Sequence, residues 1–435
     1  MPGKKNIGLY SQQNWTRLDN AAKIFPVIAN KVRTMVFRLT AELHERVKVK
    51  ELQEALELTL DEYPYFNSQL KKGFFWYWLE PSESLPMIQK DEGPPCRSFK
   101  MVHRNHLLVR VLAKNNQISV EFMHILCDGA GGLKFLLALI RNYGEQCGWD
   151  LDSDRHPIKD EKPAHDELWE DSYQKYFEKN LPKPQGLNKA YHLPFEVSKN
   201  PAFRVVAAQM DTASALSAAK SHGITLTEYL ASVYLFILQG FYLRGEEHGH
   251  RRKKRNIIRI ELPVNLRNLF PSKSLRNFAL FIMPEIDPSL GAYTFKDITR
   301  VVHNYMQLET DPRQIKRIIR RNVGSERNLM IRAIPLFLKV PVLKIAYKSF
   351  GPPLYSGILT NVGKVTLPES CAQYIKRFRF IAPPPDPQLK VCSAMISFQD
   401  KLVLTFGNHS ISTEFEQEVI SFLQKEGLNL KLLRS

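Results

Sequence analysis

The sequence predicts an α/β (α+β) fold of two similar lobes, each a mostly antiparallel mixed sheet with helices, and three observations lead there. The chain has 435 residues, long for one hydrophobic core and ordinary for two. Runs with period-2 apolar alternation are interleaved along it with runs of helical periodicity. The hairpin "RVLAKNNQISVEFMH" also lies without a gap on "AMISFQDKLVLTFGN" at a shift of 284 residues, Asn115-Asn116 over Gln399-Asp400 and Phe122 over Phe406. An amphipathic helix starts at about the same distance after each. A chance likeness of two ordinary hairpins is the competing reading.

The first lobe opens with a strand, "TMVFRLTAEL", and a helix from "VKVKELQEAL" to "EYPYF". Leu52, Leu56, Leu60 and Tyr63 fall on one face of that helix and Pro64 marks its end. "GFFWYWLE" and the hairpin turning at Asn115-Asn116 follow. Between about 150 and 200 charge and proline dominate, which marks a crossover. The expected division is 1–165, a linker 166–204, and 205–435. The second lobe carries a helix, "TLTEYLASVYLFILQGFYL", and a strand, "NIIRIELPVNLR". One long basic helix is expected from Thr294 to Arg321, then strands "GILTNVGKV" and "RFRFIAP", the second hairpin and a last helix, "EFEQEVISFLQKEG".

Composition narrows the function classes. Apolar residues make up 44% and charged residues 24%, which excludes a wholly disordered chain. A net charge of +17 favours anionic partners. Nucleic acid is not expected among them, because the aromatic residues cluster in apolar strands instead of alternating with basic ones. Five cysteines without CxxC spacing predict neither a disulfide framework nor a zinc site, and a reducing cytoplasm fits them. No secretory leader or membrane span is expected. "IRAIPLFLKVPVLKIAYKSF" at 331–350 reads as a broken amphipathic or buried segment, at most a surface membrane contact. "RQIKRIIRRN" reads as an amphipathic helix with Ile315, Ile318 and Ile319 opposite a cationic face, with membrane contact a minority reading. The run Arg251 to Arg255 reads first as a solvated loop and second as a site for phosphates, an acidic carrier or anionic lipid.

The stretch "FMHILCDGAGG" concentrates the chemistry. Strand alternation puts Ile118, Val120, Phe122 and His124 on one face, with Ser119, Glu121 and Met123 on the other. His124 is either a core histidine satisfied by a carbonyl or a buried neutral base, since desolvation disfavours imidazolium. Asp128 fits a helix N-cap. Behind it the unpaired N–H groups and positive dipole end of the helix at Gly129 make a place for developing negative charge. Cys127 reads as a buried small residue in preference to a nucleophile.

"HILCDG" resembles the HxxxDG signature of the acyltransferase superfamily that includes chloramphenicol acetyltransferase, peptide-synthetase condensation domains and alcohol acetyltransferases. "EYPYFNSQL", "IELPVNLRNLF", "LRNFALFI" and "ILTNVGKV" resemble further segments of that superfamily in the same order, so the likeness covers most of the chain. The nearest resemblance is to standalone alcohol acetyltransferase-like proteins. It implies chloramphenicol-acetyltransferase-like lobes with an active-site tunnel between them, and acyl transfer from acyl-CoA or an acyl-phosphopantetheine carrier to an alcohol or amine.

The resemblance implies His124 as general base, Asp128 as a clamp on Arg267, and Gly129 presenting its N–H to the oxyanion. It also implies Asn361, beside Thr360, facing His124 from the late strand. It implies no bound cofactor, no metal and a monomer, with an acyl carrier protein or a peripheral membrane contact as further partners. Met123 stands where many members have a first histidine, so a catalytically inactive condensation-like scaffold that binds a carrier protein or anionic membrane is the alternative.

Overall fold

The computed structural model describes residues 15–102, 106–151, 165–182, 184, 186–199, 203–247 and 255–433. The run Arg251 to Lys254 lies outside them.

Both hairpins form as the repeat predicts. Val109–Lys114 pairs with Gln117–Met123, and Val391–Phe398 with Lys401–Asn408, both antiparallel. The first turn residue of each has positive φ, 52° at Asn115 and 50° at Gln399, as a two-residue hairpin turn that follows the strand twist requires. Each hairpin is flanked by an earlier strand, Val36–Leu43 in the first sheet and Arg204–Asp211 in the second. Each earlier strand leads into a helix, Val49–Glu62 and Thr212–Ser221. Each hairpin leads into another, Gly129–Cys147 and Glu414–Lys425.

The first sheet runs Ile375–Ile381, Val36–Leu43, Gln117–Met123, Val109–Lys114, Gln89–Lys90. The second runs Ala279–Ile282, Ile258–Asn265, Gly357–Val365, the second hairpin, Arg204–Asp211, Lys431–Leu433. Gly357–Val365 is parallel to both its neighbours, so the sheet is mixed. The sheets do not respect a cut at 205, because Ile375–Ile381 comes from the second half of the chain and pairs with Val36–Leu43.

Period 2 sorts the second hairpin between two cores. Ala394, Ile396 and Phe398 face the first lobe's core, while Val391, Met395, Leu404 and Phe406 face the helix Leu226–Glu247. That helix is long and apolar enough to cross a membrane by length and composition, against the expectation of no such segment. Its Tyr229, Val233, Leu235 and Leu238 are wholly buried against the sheet, as a core helix of this composition would be.

Two other expectations are corrected. Asp311-Pro312 splits the long basic helix into Phe295–Glu309 and Pro312–Glu326; proline has no N–H to continue the ladder but suits a helix start. The isoleucine face of Pro312–Glu326 is not free for a membrane, since Ile315 and Ile319 are buried against Leu266, Phe270 and Phe278. The polar side of Gln117–Met123 is equally buried. Glu121 accepts from Arg38 Nε at 2.7 Å, Arg110 Nε at 2.5 Å and the Cys96 N–H at 2.6 Å, so the buried carboxylate is fully paired.

The helix after the first hairpin is pressed against the second lobe. A Cβ added at Gly131 would stand 2.0 Å from the Leu275 carbonyl oxygen. Alanine gains about 1 kcal/mol over glycine in helix propensity, but a backbone atom at that distance cannot yield as a side chain can. Gly131→Ala is therefore expected to lower stability by about 1–3 kcal/mol in a denaturant titration. Gly129→Ala, which meets only side chains, Val362 at 3.2 Å and Phe380 at 3.7 Å, is expected to cost less.

Candidate active site

His124 opens the turn between Gln117–Met123 and the helix Gly129–Cys147, its N–H held by the Met35 carbonyl at 2.9 Å. The ring is half-buried. Phe25 packs on it at 4.8 Å between centroids and Phe37 meets it edge-on at 5.3 Å. Two aromatic walls thus remove water from the imidazole while leaving it reachable.

Its tautomer is fixed by a residue that the sequence reading did not single out, Asn277. The Asn277 amide Nδ2 donates to Asp19 Oδ2 at 3.0 Å and to the His124 carbonyl at 3.1 Å. Both partners are oxygens that accept, so Oδ1 must be the atom 2.9 Å from His124 Nδ1. Nδ1 then carries the proton and Nε2 keeps its lone pair. Asp19 is wholly buried; it also accepts from the Ala22 N–H at 2.8 Å and lies 3.7 Å from Arg276 Nε. Burial pushes its carboxyl up, against the pull of Arg276. Burial is also the largest influence on His124 and lowers its pKa from 6.5, while Asp128, its own carbonyl, Asn277 and Asp19 act the other way. The imidazole is therefore neutral at pH 7.

Asp128 joins the lobes. Its Oδ1 accepts from the Gly131 N–H at 3.0 Å, capping the helix. Its Oδ2 accepts from Arg267 Nη1 and from the Phe278 N–H, both at 2.8 Å. Arg267 is held in turn by the Ser274 carbonyl at 2.8 Å, the Asn265 side chain at 3.1 Å and the Arg276 carbonyl. The first helical bond runs from the Gly132 N–H to the Asp128 carbonyl. The N–H groups of Gly129 and Ala130 precede it and have no intrahelical acceptor.

Val362 is the side chain nearest Gly129, and Thr360 is half-buried. Asn361 is exposed; its amide donates to Thr227 at 3.0 Å and its Oδ1 accepts from the Gly363 N–H at 2.8 Å. The irregular register between Asn361 and Lys364 and the positive φ of 98° at Gly363 belong to this turn-like bond. Cys127 is buried and its thiol is pushed well up, by burial first and Asp128 second, which leaves it protonated and poorly nucleophilic. Met123, at the position of the absent first histidine, is wholly buried in the first core. Among the described residues no cluster of His, Cys, Asp and Glu fit to hold a metal occurs.

No protein-family profile and no curated protein matches the chain. Solved structures do match over nearly its whole length. Trichothecene 15-O-acetyltransferase from Fusarium sporotrichioides aligns at 11% identity and a TM-score of 0.59 over 94% of this chain and 95% of that one. TRI101 of F. sporotrichioides, solved with coenzyme A and T-2, aligns at 10% identity and a TM-score of 0.59 over 96% and 99%. The condensation domain of the monacolin K polyketide synthase MokA aligns at 12% identity and 0.58 over 96% and 97%. The chain has the two-lobed chloramphenicol-acetyltransferase-like fold that these acetyltransferase and condensation-domain structures share.

Proposed function

We propose that this protein transfers an acyl group from an acyl thioester, acyl-CoA or acyl-phosphopantetheine, to a small alcohol or amine, with His124 as general base. The observation that carries the reading is the fixed tautomer: Asn277 Oδ1 faces Nδ1, so the basic Nε2 is left for substrate. As the acceptor oxygen or nitrogen attacks the thioester carbonyl, Nε2 takes its proton. The tetrahedral oxyanion collapses, the C–S bond breaks, and the imidazolium returns the proton to the departing sulfur. No acyl-enzyme is required. The Gly129 N–H, at the open end of its helix, supports the oxyanion, and the Nδ1–H bond to Asn277 steadies the transient imidazolium. The site is a place for general-base catalysis plus alignment of two bound substrates.

The direct test follows thiol release from a panel of acyl-CoA donors offered alcohols and amines. Release is expected, and His124→Ala is expected to reduce it by about 10²- to 10⁴-fold. Wild-type protein that releases no thiol with any donor would sink the enzymatic reading and favour the scaffold.

The pH profile carries a second test. The base must be unprotonated and burial lowers its pKa, so activity should fall as pH drops with a midpoint below 6.5. Asn277 raises that pKa by accepting from Nδ1–H. Asn277→Ala should therefore shift the acid limb to still lower pH while reducing kcat by roughly tenfold, because the tautomer is no longer fixed. A structural defect alone would lower kcat without moving the limb.

Asp128 has a different role in this reading, as a clamp that does not touch substrate. Asp128→Ala leaves Arg267 without its carboxylate and frees the Gly131 and Phe278 N–H groups. A loss of about 3 kcal/mol in unfolding free energy is expected, against little change in stability for His124→Ala.

A further inference from the structure

We propose that the helices Leu329–Ala333 and Leu336–Phe350, with the Phe74-Phe75 turn, form a docking surface for a membrane that carries anionic lipid. The segment is apolar, as the sequence shows, but it is not buried. Met330 is 82% exposed, Phe337 64%, Val342 64% and Ile345 65%. The turn belongs to the same surface: the Leu336 N–H bonds the Phe74 carbonyl at 2.7 Å, Lys339 Nζ bonds the Phe75 carbonyl at 3.2 Å, and the Phe74 and Phe337 rings lie 6.4 Å apart. Apolar surface of this extent, left on the outside of a folded chain, marks a contact site.

Charge selects the occupant. Between Glu326 and Glu369 the chain has no acidic residue, while Arg327, Arg332, Lys339, Lys344, Lys348 and Lys364 are basic. Leu338, Val342 and Ile345 fall in one stripe of the longer helix, and Lys344 and Lys348, both exposed, form the stripe beside it. Lysines in that place extend their stems along apolar surface and set their ammonium groups among anionic headgroups. A second copy of the chain would bring the same uncompensated cations face to face. The helix is 15 residues long with Pro341 inside it, too short to cross a bilayer, which takes about 20 residues, and suited to lie in its interface. It packs on the short helix Phe25–Ile28, whose Phe25 contacts His124, so surface and site share an element.

The test floats the full-length protein with vesicles of phosphatidylcholine alone and with about 30% phosphatidylserine added. Binding to the anionic vesicles, weakened by salt, is expected. Leu338→Ser/Val342→Ser/Ile345→Ser, all at exposed or half-buried positions, should lower partitioning at least about tenfold with an unchanged melting temperature. Lys344→Gln/Lys348→Gln should lower it on anionic vesicles by about as much while leaving the fold untouched. The proposal is overturned if wild-type protein floats with neither vesicle, if both variants bind as well as wild type, or if sedimentation shows a dimer that the triple variant disperses. None of these outcomes depends on acyl transfer, so a failure here is distinct from a failure of the base at His124.

Discussion

One carboxylate ties the helix behind His124 to the second lobe. Asp128 caps the helix behind His124 with one oxygen and takes Arg267 and the Phe278 N–H with the other. Because Phe278 is fixed at its backbone, Asn277 is delivered to the His124 ring, where it selects the tautomer. The order of dependence runs from an ion pair between lobes, through a backbone hydrogen bond, to the proton inventory of one imidazole. In the proposed reaction, a group outside the substrate site would thus set the protonation of the base.

The internal repeat sets the two strand-to-helix turns side by side. Asn408 occupies in the second hairpin the place of His124 in the first, and it is satisfied by its surroundings. Its Oδ1 accepts from the Ser410 N–H at 2.5 Å and Ser410 Oγ at 2.8 Å, while Nδ2 donates to Glu416 at 2.6 Å and the Ser412 carbonyl at 2.8 Å. All four bonds lie within eight residues, and Asn408 is buried. One copy closes its strand-to-helix turn on itself. The other takes the partner of its ring Nδ1 from across the lobes.

Local elements were legible in the sequence because their causes are local. Leu52, Leu56 and Leu60 are buried as the 3.6-residue spacing requires, and Asn115 and Gln399 turn as two-residue hairpins must. The pairing of Asp128 with Arg267 was reachable only through family resemblance, and Asn277 was not identified at all, since its bond to His124 spans 153 residues. A lone buried asparagine in "LRNFALFI" was the available signal. The register at Asn361 depends on Thr227 of another helix, which no strand pattern encodes. For 331–350 the difficulty was different in kind. Apolar side chains there lie on both sides of the lysine stripe, so periodicity does not say which side faces the core, and packing shows that most of them face none.

Burial of His124 places two requirements in opposition. Desolvation makes the imidazole neutral, but the base proposed for His124 must later hold a proton, and the same desolvation opposes that step. The surroundings offset this in part: Asp128, the backbone carbonyl of His124 itself, Asn277 and Asp19 each favour the protonated form. Asp19 is wholly buried and acts on the ring through its charge, while its hydrogen bond goes to Asn277 and not to the ring. An aspartate in contact with Nδ1 would pull the pKa further upward. An amide placed between the two retains orientation and passes on less of the charge, which is compatible with the base proposed for His124.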